Sequence, residues 1–192
     1  MMAVWKMAPA LAAGCSVIIK PAEDTPLTAI GVAQIAKEAG IPDGVLNVVP
    51  GYGDVGEALG RHDDVDAVSF TGSTEVGGLF MKYSGESNLK TIGLEMGGKS
   101  PFIVLDDAKI TDDLIDNAIN SAFWNGGQNC SANMRQIIHS KVKDEFLDKV
   151  TKKVKALKVG DPLDPTSNMG SMISKKHLAT VDGFIQKGID EG

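Results

Sequence analysis

Cysteine is scarce in this chain. Cys15 and Cys130 are the only two in 192 residues, too few for a disulfide framework, and neither has the CxxC or His-rich spacing that holds zinc. Neither a staple nor a metal site is indicated. Positive charge is also short, with 19 Lys and Arg against 25 Asp and Glu, a formal net charge of −6 and a pI near 5.0. No basic face is available to track a phosphate backbone, so nucleic acid is not an expected partner. Long apolar runs are missing too: the stretch from Met7 to Ile19 is broken by Pro9, Gly14 and Ser16, short of the ~18 residues a membrane span needs. Met1 to Ala13 lacks the basic leader, long apolar run and small-residue cleavage site of a secretory signal, so a cytoplasmic location with no membrane partner is expected. No internal repeat or low-complexity tract interrupts the chain.

What is present is a balanced globular composition, 43% hydrophobic and 23% charged, enough to bury a core. Ser16 to Lys20 is a β-branched run closed by Pro21 and reads as a buried strand. A helix follows, with Thr25 as N-cap, Pro26 at its first position, Leu27, Ile30, Ala33 and Ala36 on one face, and Gly40 with Pro42 at its end. Val45 to Val49 is the next strand. Asp54 is the expected cap of a short helix with Val55, Ala58 and Leu59 inward, before a strand from Ala67 to Phe70. Ser73 caps a helix carrying Val76, Phe80 and Tyr83 at helical spacing, and Leu89 to Glu95 is a further strand. This alternation predicts an α/β fold, a mainly parallel, doubly wound, Rossmann-like sheet with its ligand sites at the carboxyl ends of the strands.

Beyond Pro101 the pattern changes. Phe102 to Leu105 reads as a strand, and Thr111 as the cap of a helix with Ile115, Ala118, Ile119 and Ala122 in one stripe. A polar, glycine-bearing segment, Asn125 to Asn133, leads to a strand at Gln136 to His139. A basic amphipathic helix follows over Lys141 to Leu157, its inner side marked by Phe146, Val150, Val154 and Leu157 and its end by Gly160 and Pro162. Its lysines read as a solvated surface.

Several segments can carry chemistry. Gly51-Tyr-Gly-Asp-Val-Gly56 is a GxGxxG after a strand and before a helix, the context of a dinucleotide loop, and equally that of a tight turn with close helix packing. The acidic partner such a loop expects ~20 residues on is poorly placed, because Ser69 to Gly72 sits there. Three other segments end strands on the same expected edge: Lys20-Pro-Ala-Glu23, Phe70-Thr-Gly-Ser-Thr74 and Glu95-Met-Gly-Gly-Lys99. A Lys and a Glu three apart can bracket ribose hydroxyls, Ser73 at a helix start offers N–H groups and a hydroxyl to a phosphate, and Glu95 beside glycines has room to act as a general base. Each also reads as an ordinary cap or a salt-bridged surface group. Cys130, after Gly126-Gly127-Gln128-Asn129, stands in a polar turn that favours an exposed thiolate held by N–H donors. Cys15, among Ala, Gly and Val, reads as a small buried residue.

Taken together, KMAPALAAGCSVIIKPAEDTPLTA, FTGSTEVG, LEMGGKSP and the GQxC cysteine segment resemble, in order and spacing, the NAD(P)-dependent aldehyde dehydrogenase family, over essentially all 192 residues. The resemblance implies an oxidoreductase in which Cys130 attacks the aldehyde and Glu95 activates water to release the carboxylic acid. It implies that Lys20 and Glu23 contact the adenine ribose, that Gly53 approaches the adenine half, that Gly72, Ser73 and Gly77 form the phosphate-side segment, and that Met96 and Gly97 lie against the nicotinamide. The cofactor is expected to be NAD, since the Glu23 charge would repel a 2′-phosphate, with NADP also admitted. Residues 1–96 then correspond to most of the cofactor-binding domain, and residues 97–192 to the opening part of the catalytic domain.

The DDAKITDD, PLDPTSNMG and FIQKGIDEG segments look most like the branch acting on γ-glutamyl-aminobutyraldehyde and other ω-aminoaldehydes. Gly126 stands where relatives usually carry Gln. The family's PWNFP segment is expected immediately before Met1, and a Glu-Phe-Gly-Pro segment and an oligomerisation strand beyond Gly192. The complete subunit is accordingly expected to form a dimer or tetramer, while the fragment alone is either part of an active enzyme or a catalytically silent dinucleotide-binding piece.

Overall fold

A computed structural model describes residues 1–192. The chain divides into two compact units, Met1–Met96 and Gly97–Gly192. The first runs α1 (Met2–Ala12), β1 (Val17–Ile19), α2 (Leu27–Glu38), β2 (Leu46–Val48), α3 (Gly53–Arg61), β3 (Ala67–Gly72), α4 (Thr74–Gly85) and β4 (Thr91–Met96). The second runs β5 (Pro101–Val104), α5 (Asp112–Phe123), β6 (Arg135–Ile138), α6 (Ser140–Lys155) and α7 (Lys175–Glu191). All pairing is parallel, as strand–helix alternation requires. It comes in three two-stranded sheets, β1 with β2, β3 with β4, and β5 with β6. No helix is long and apolar enough to cross a membrane.

Two expected caps hold. Ser73 Oγ accepts the Val76 N–H at the start of α4, and Thr111 Oγ1 accepts the Leu114 N–H at the start of α5, each satisfying a donor the helix leaves free. Two others do not. Pro26, not Thr25, occupies the N-cap of α2, because its ring already sets a helix-like backbone angle, and Asp54 lies inside the first turn of α3, whose cap is Tyr52. Leu27, expected inward, is 79% exposed, and Ala29 is the buried residue of α2. Leu89 lies not in a strand but in the turn before β4, with a left-handed φ of 59°. Cys15 is exposed rather than buried; it lies in the turn that closes α1, where Gly14 takes φ 80° and the Cys15 N–H donates to the Ala10 carbonyl.

In the first unit the Phe80 ring meets Phe70 and Tyr83 at centroid distances of 5.0 and 5.9 Å, and the Arg61 guanidinium lies 4.4 Å from the Tyr83 ring. Lys90 is buried with its ammonium donating to the Gly60 carbonyl and Ser87 Oγ, each at 2.8 Å, so the cation is met by fixed oxygens. The core of the second unit joins Val104, Ile110, Ile115, Ala118, Ile119 and Phe146. Ile115 and Phe146 are its fully buried large side chains, each contributing about 1.5–3 kcal/mol of burial.

Candidate active site

In the first unit the candidate residues lie at or just after the carboxyl ends of β1 to β4. Lys20 follows β1 and its Nζ donates to the Pro21 carbonyl at 2.9 Å and the Gly51 carbonyl at 2.8 Å, tying together the loops after β1 and β2. Glu23 Oε2 lies 3.5 Å from the same ammonium. The Glu23 carboxyl is held below its ordinary value, first by its own backbone N–H and, against the opposing effect of burial, by the Lys20 charge. Pro21, Ala22, Glu23, Pro26, Gly51 and Tyr52 line a cleft of about 300 Å³. Such a cleft, with apolar proline walls, a tyrosine and one ionised carboxylate, suits the adenosine half of a dinucleotide by size and chemistry. A groove of about 330 Å³ between α2 and β2, closed by the loop that precedes β2, holds none of the candidate residues.

The glycines divide by what fills the place of their missing side chain. A Cβ at Gly51 would come within 2.3 Å of Val55, one at Gly72 within 2.5 Å of the Phe70 ring, and one at Gly77 within 2.6 Å of Met96 Sδ. The chain itself uses these three, and the Gly77 contact sets the Met96 thioether against the first turns of α4. Gly53, by contrast, opens α3 with nothing within 4 Å. Gly51 therefore satisfies the tight-packing reading of the GxGxxG, and Gly53 leaves room for a bound group.

Ser73 begins α4 with its oxygen engaged in the cap and its hydroxyl hydrogen left for another acceptor. The helix start adds backbone donors and the positive end of its dipole, a setting that suits a phosphate. Glu95 is exposed near the end of β4, opposite Thr71 of β3 in the register. A residue the sequence reading passed over, Lys6 of α1, reaches this strand pair and donates to Ser69 Oγ at 3.0 Å. Burial lowers the Lys6 pKa and the Glu95 charge partly restores it. The available signal was a lone charge in an otherwise apolar helix.

In the second unit Cys130 follows α5 on an irregular segment and is exposed. The turn before it has Asn125, Gly126 and Gly127 at φ of 55°, 68° and 74°. On the other side the Ala132 N–H donates to the Asn129 carbonyl and the Asn133 N–H to the Ser121 carbonyl, anchoring the segment to α5. The sulfur's partner is Asn129 Oδ1, at 3.7 Å. This is an acceptor, so the thiol donates, in place of the N–H donors expected around a thiolate, because the Ser131 N–H is directed at the same Asn129 oxygen. Gly98 comes close behind, where a Cβ would stand 3.5 Å from the Cys130 carbonyl, and Gly97 faces open space. Cys130 and Gly97 thus belong to the second unit, and Lys20, Glu23, Gly53, Gly72, Ser73, Gly77, Glu95 and Met96 to the first.

The chain resembles known proteins along its whole length. The family model described as "Aldehyde dehydrogenase family" matches residues 1–192. An aminoacetaldehyde dehydrogenase of Pseudomonas aeruginosa is 49% identical over 192 residues, covering all of this chain and 39% of that protein. Among solved structures, a γ-glutamyl-γ-aminobutyraldehyde dehydrogenase from Burkholderia cenocepacia aligns with a TM-score of 0.94 at 49% identity, over 98% of this chain and 38% of that one. An indole-3-acetaldehyde dehydrogenase in complex with NAD+ aligns with a TM-score of 0.96 at 48% identity, over 100% and 39%. The chain therefore spans about two fifths of the length of the relatives it matches, and over that span it belongs to the aldehyde dehydrogenase family.

Proposed function

We propose that the complete subunit to which these residues belong oxidises an aldehyde to its carboxylic acid with NAD, NADP being the second choice. The observation that carries the reading is the exposed Cys130 thiol on a turn of fixed left-handed residues within a matching GQxC segment. After losing its proton, Cys130 Sγ forms a bond to the aldehyde carbon and leaves a thiohemiacetal oxyanion. The nicotinamide, when bound, supplies a two-electron acceptor for the hydride leaving that carbon. Glu95 then takes a proton from water, the hydroxide adds to the resulting Cys130 thioester, and the thiolate departs as the acid is released. Lys20 and Glu23 hold the adenine ribose, Gly53 admits the adenine half, and Ser73 at the start of α4 binds the phosphates. Gly72 and Gly77 shape that segment through the chain's own packing, and Met96 and Gly97 flank the nicotinamide.

Relatives named for aminoacetaldehyde and γ-glutamyl-γ-aminobutyraldehyde support an ω-aminoaldehyde as substrate. A cytoplasmic, homo-oligomeric subunit with residues 1–96 in the cofactor domain and 97–192 in the catalytic domain completes the proposal. In the complete subunit, Cys130→Ala is expected to abolish NADH and acid formation. Glu95→Gln is expected to keep one rapid turnover of NADH per site and to slow everything after it. Steady turnover unchanged by both substitutions overturns the mechanism. A second reading is a silent dinucleotide-binding piece. It predicts that this chain binds NAD and yields no NADH from any aldehyde.

A further inference from the structure

The segment that carries Cys130 is held by a contact that none of the residues assigned above makes. Glycine adopts a left-handed φ freely, whereas an asparagine such as Asn125 does so at a cost and persists there where its surroundings over-determine it. The surroundings do so here. Asn125 Nδ2 donates to the Gln128 carbonyl at 3.2 Å, while the Gln128 backbone N–H and its Nε2 both donate to the Asn125 carbonyl, at 3.3 and 3.0 Å. With Nε2 committed to that carbonyl, the Gln128 amide turns Oε1 the other way, and His177 Nε2 of α7 lies 3.0 Å from it. An amide oxygen only accepts, so His177 Nε2 carries the hydrogen in this pair. His177 is itself set in place, because Ser174 Oγ caps α7 by accepting the His177 backbone N–H at 3.1 Å.

We propose that His177 is a positioning residue for the nucleophile: through Gln128 it locks the Asn125–Gln128 turn, and through that turn it fixes Cys130 two residues further on. The proposal rests on the reading of Cys130 as nucleophile. Both the neutral Nε2–H tautomer and the imidazolium donate from Nε2, so the tether is independent of the histidine's charge. A glutamine at position 177 can place an amide N–H where Nε2 now stands and keep the bond. Alanine cannot.

The test combines hydrogen exchange with steady-state kinetics on the complete subunit. His177→Ala is expected to speed exchange of the Gln128 and Ala132 amides by about three- to tenfold, the effect of losing one hydrogen bond, with α6 amides unchanged. The kcat falls by a similar factor and the KM for NAD stays constant, because Lys20, Glu23 and Ser73 belong to the other unit. His177→Gln restores both readings, and Gln128→Met reproduces the loss with no further effect from adding His177→Ala. Exchange and kcat within twofold of the parent in His177→Ala, or failure of His177→Gln to restore them, overturns the proposal. If His177→Ala does not fold, the pair His177→Gln and Gln128→Met decides on the same criteria. Retained turnover in Cys130→Ala would remove the nucleophile reading, and the exchange measurement would still report on the tether.

Discussion

Ser73 caps α4 and is proposed to bind a phosphate, two roles that ordinary mutagenesis would confuse and that two substitutions separate. Its Oγ accepts the Val76 N–H at 3.2 Å and so caps α4. Ser73→Ala removes that acceptor and is expected to cost about 1 kcal/mol of stability, whereas Ser73→Gly at an N-cap costs only a few tenths. The cap uses a lone pair and leaves the hydroxyl hydrogen for a phosphate oxygen. A hydrogen bond to a charged acceptor contributes about 1.5–3 kcal/mol. At an exposed position such as Ser73 the lower end applies, about tenfold in Kd. Urea unfolding and calorimetric titration with NAD therefore move separately. Ser73→Ala loses stability and affinity, Ser73→Gly keeps nearly all stability and still binds about tenfold more weakly, and Ser73→Thr keeps both. Parental affinity in Ser73→Gly would refute the reasoning, since Ser73 would then act only through the helix.

Phe146→Ala removes the largest fully buried side chain of the second unit and is expected to cost about 3–5 kcal/mol. The chain has two tryptophans, one in each unit, so in a Trp5→Phe background Trp124 fluorescence follows the second unit during urea unfolding; a loss under about 1 kcal/mol would contradict the assigned core. The Glu23 carboxyl is depressed in the folded chain, so whatever stability its ionisation contributes is present above the unfolded value and lost as the pH falls through the lower folded one. Its contribution to NAD binding, read as the affinity ratio of parent to Glu23→Gln, is expected to stay flat from about pH 8 to about pH 5, above the ordinary glutamate range. A ratio that collapses between about pH 7 and pH 6 would show that Glu23 is not held ionised in this way.

Much of this was legible in the sequence because it rests on local chemistry. Ser73 and Thr111 announce their caps by preceding an amphipathic run, and Ile115, Ala118, Ile119 and Phe146 announce the second core by spacing alone. Thr25 and Asp54 failed as caps because a neighbour, Pro26 or Tyr52, took the position by backbone geometry. Leu27 and Cys15 failed because residue type does not report which side of an element meets the rest of the fold. The register within each pair, Val17 with Leu46 and Ala67 with Thr91, joins residues far apart in the chain and is invisible in alternation of strand and helix. Lys6 stands out as a lone charge in an apolar helix, but its partner Ser69, like the partner Gln128 of His177, lies far away in the chain and no local pattern names it.

The glycines show how a motif and its function part company. A glycine-rich strand end invites the inference that the missing side chain makes room for a ligand. At Gly51, Gly72 and Gly77 the room is already taken by Val55, Phe70 and Met96. Those glycines act one step earlier: Gly51 lets the loop after β2 close on Val55 of α3, Gly72 admits the Phe70 ring of its own strand, and Gly77 lets α4 approach Met96 of β4, while Gly53 and Ser73 at the helix starts stay exposed. The second unit follows the same logic with a different device: consecutive left-handed residues, not close packing, reverse the chain after α5 and leave Cys130 exposed. In both units the residues proposed to touch the reactants lie within a few positions of residues that set the backbone, Gly53 after Gly51, Ser73 after Gly72 and Cys130 after Gly127, where the backbone is held by the chain's own contacts. A ligand then meets a preformed edge and need not order it, which is the condition for binding energy to be used on the reaction rather than on folding.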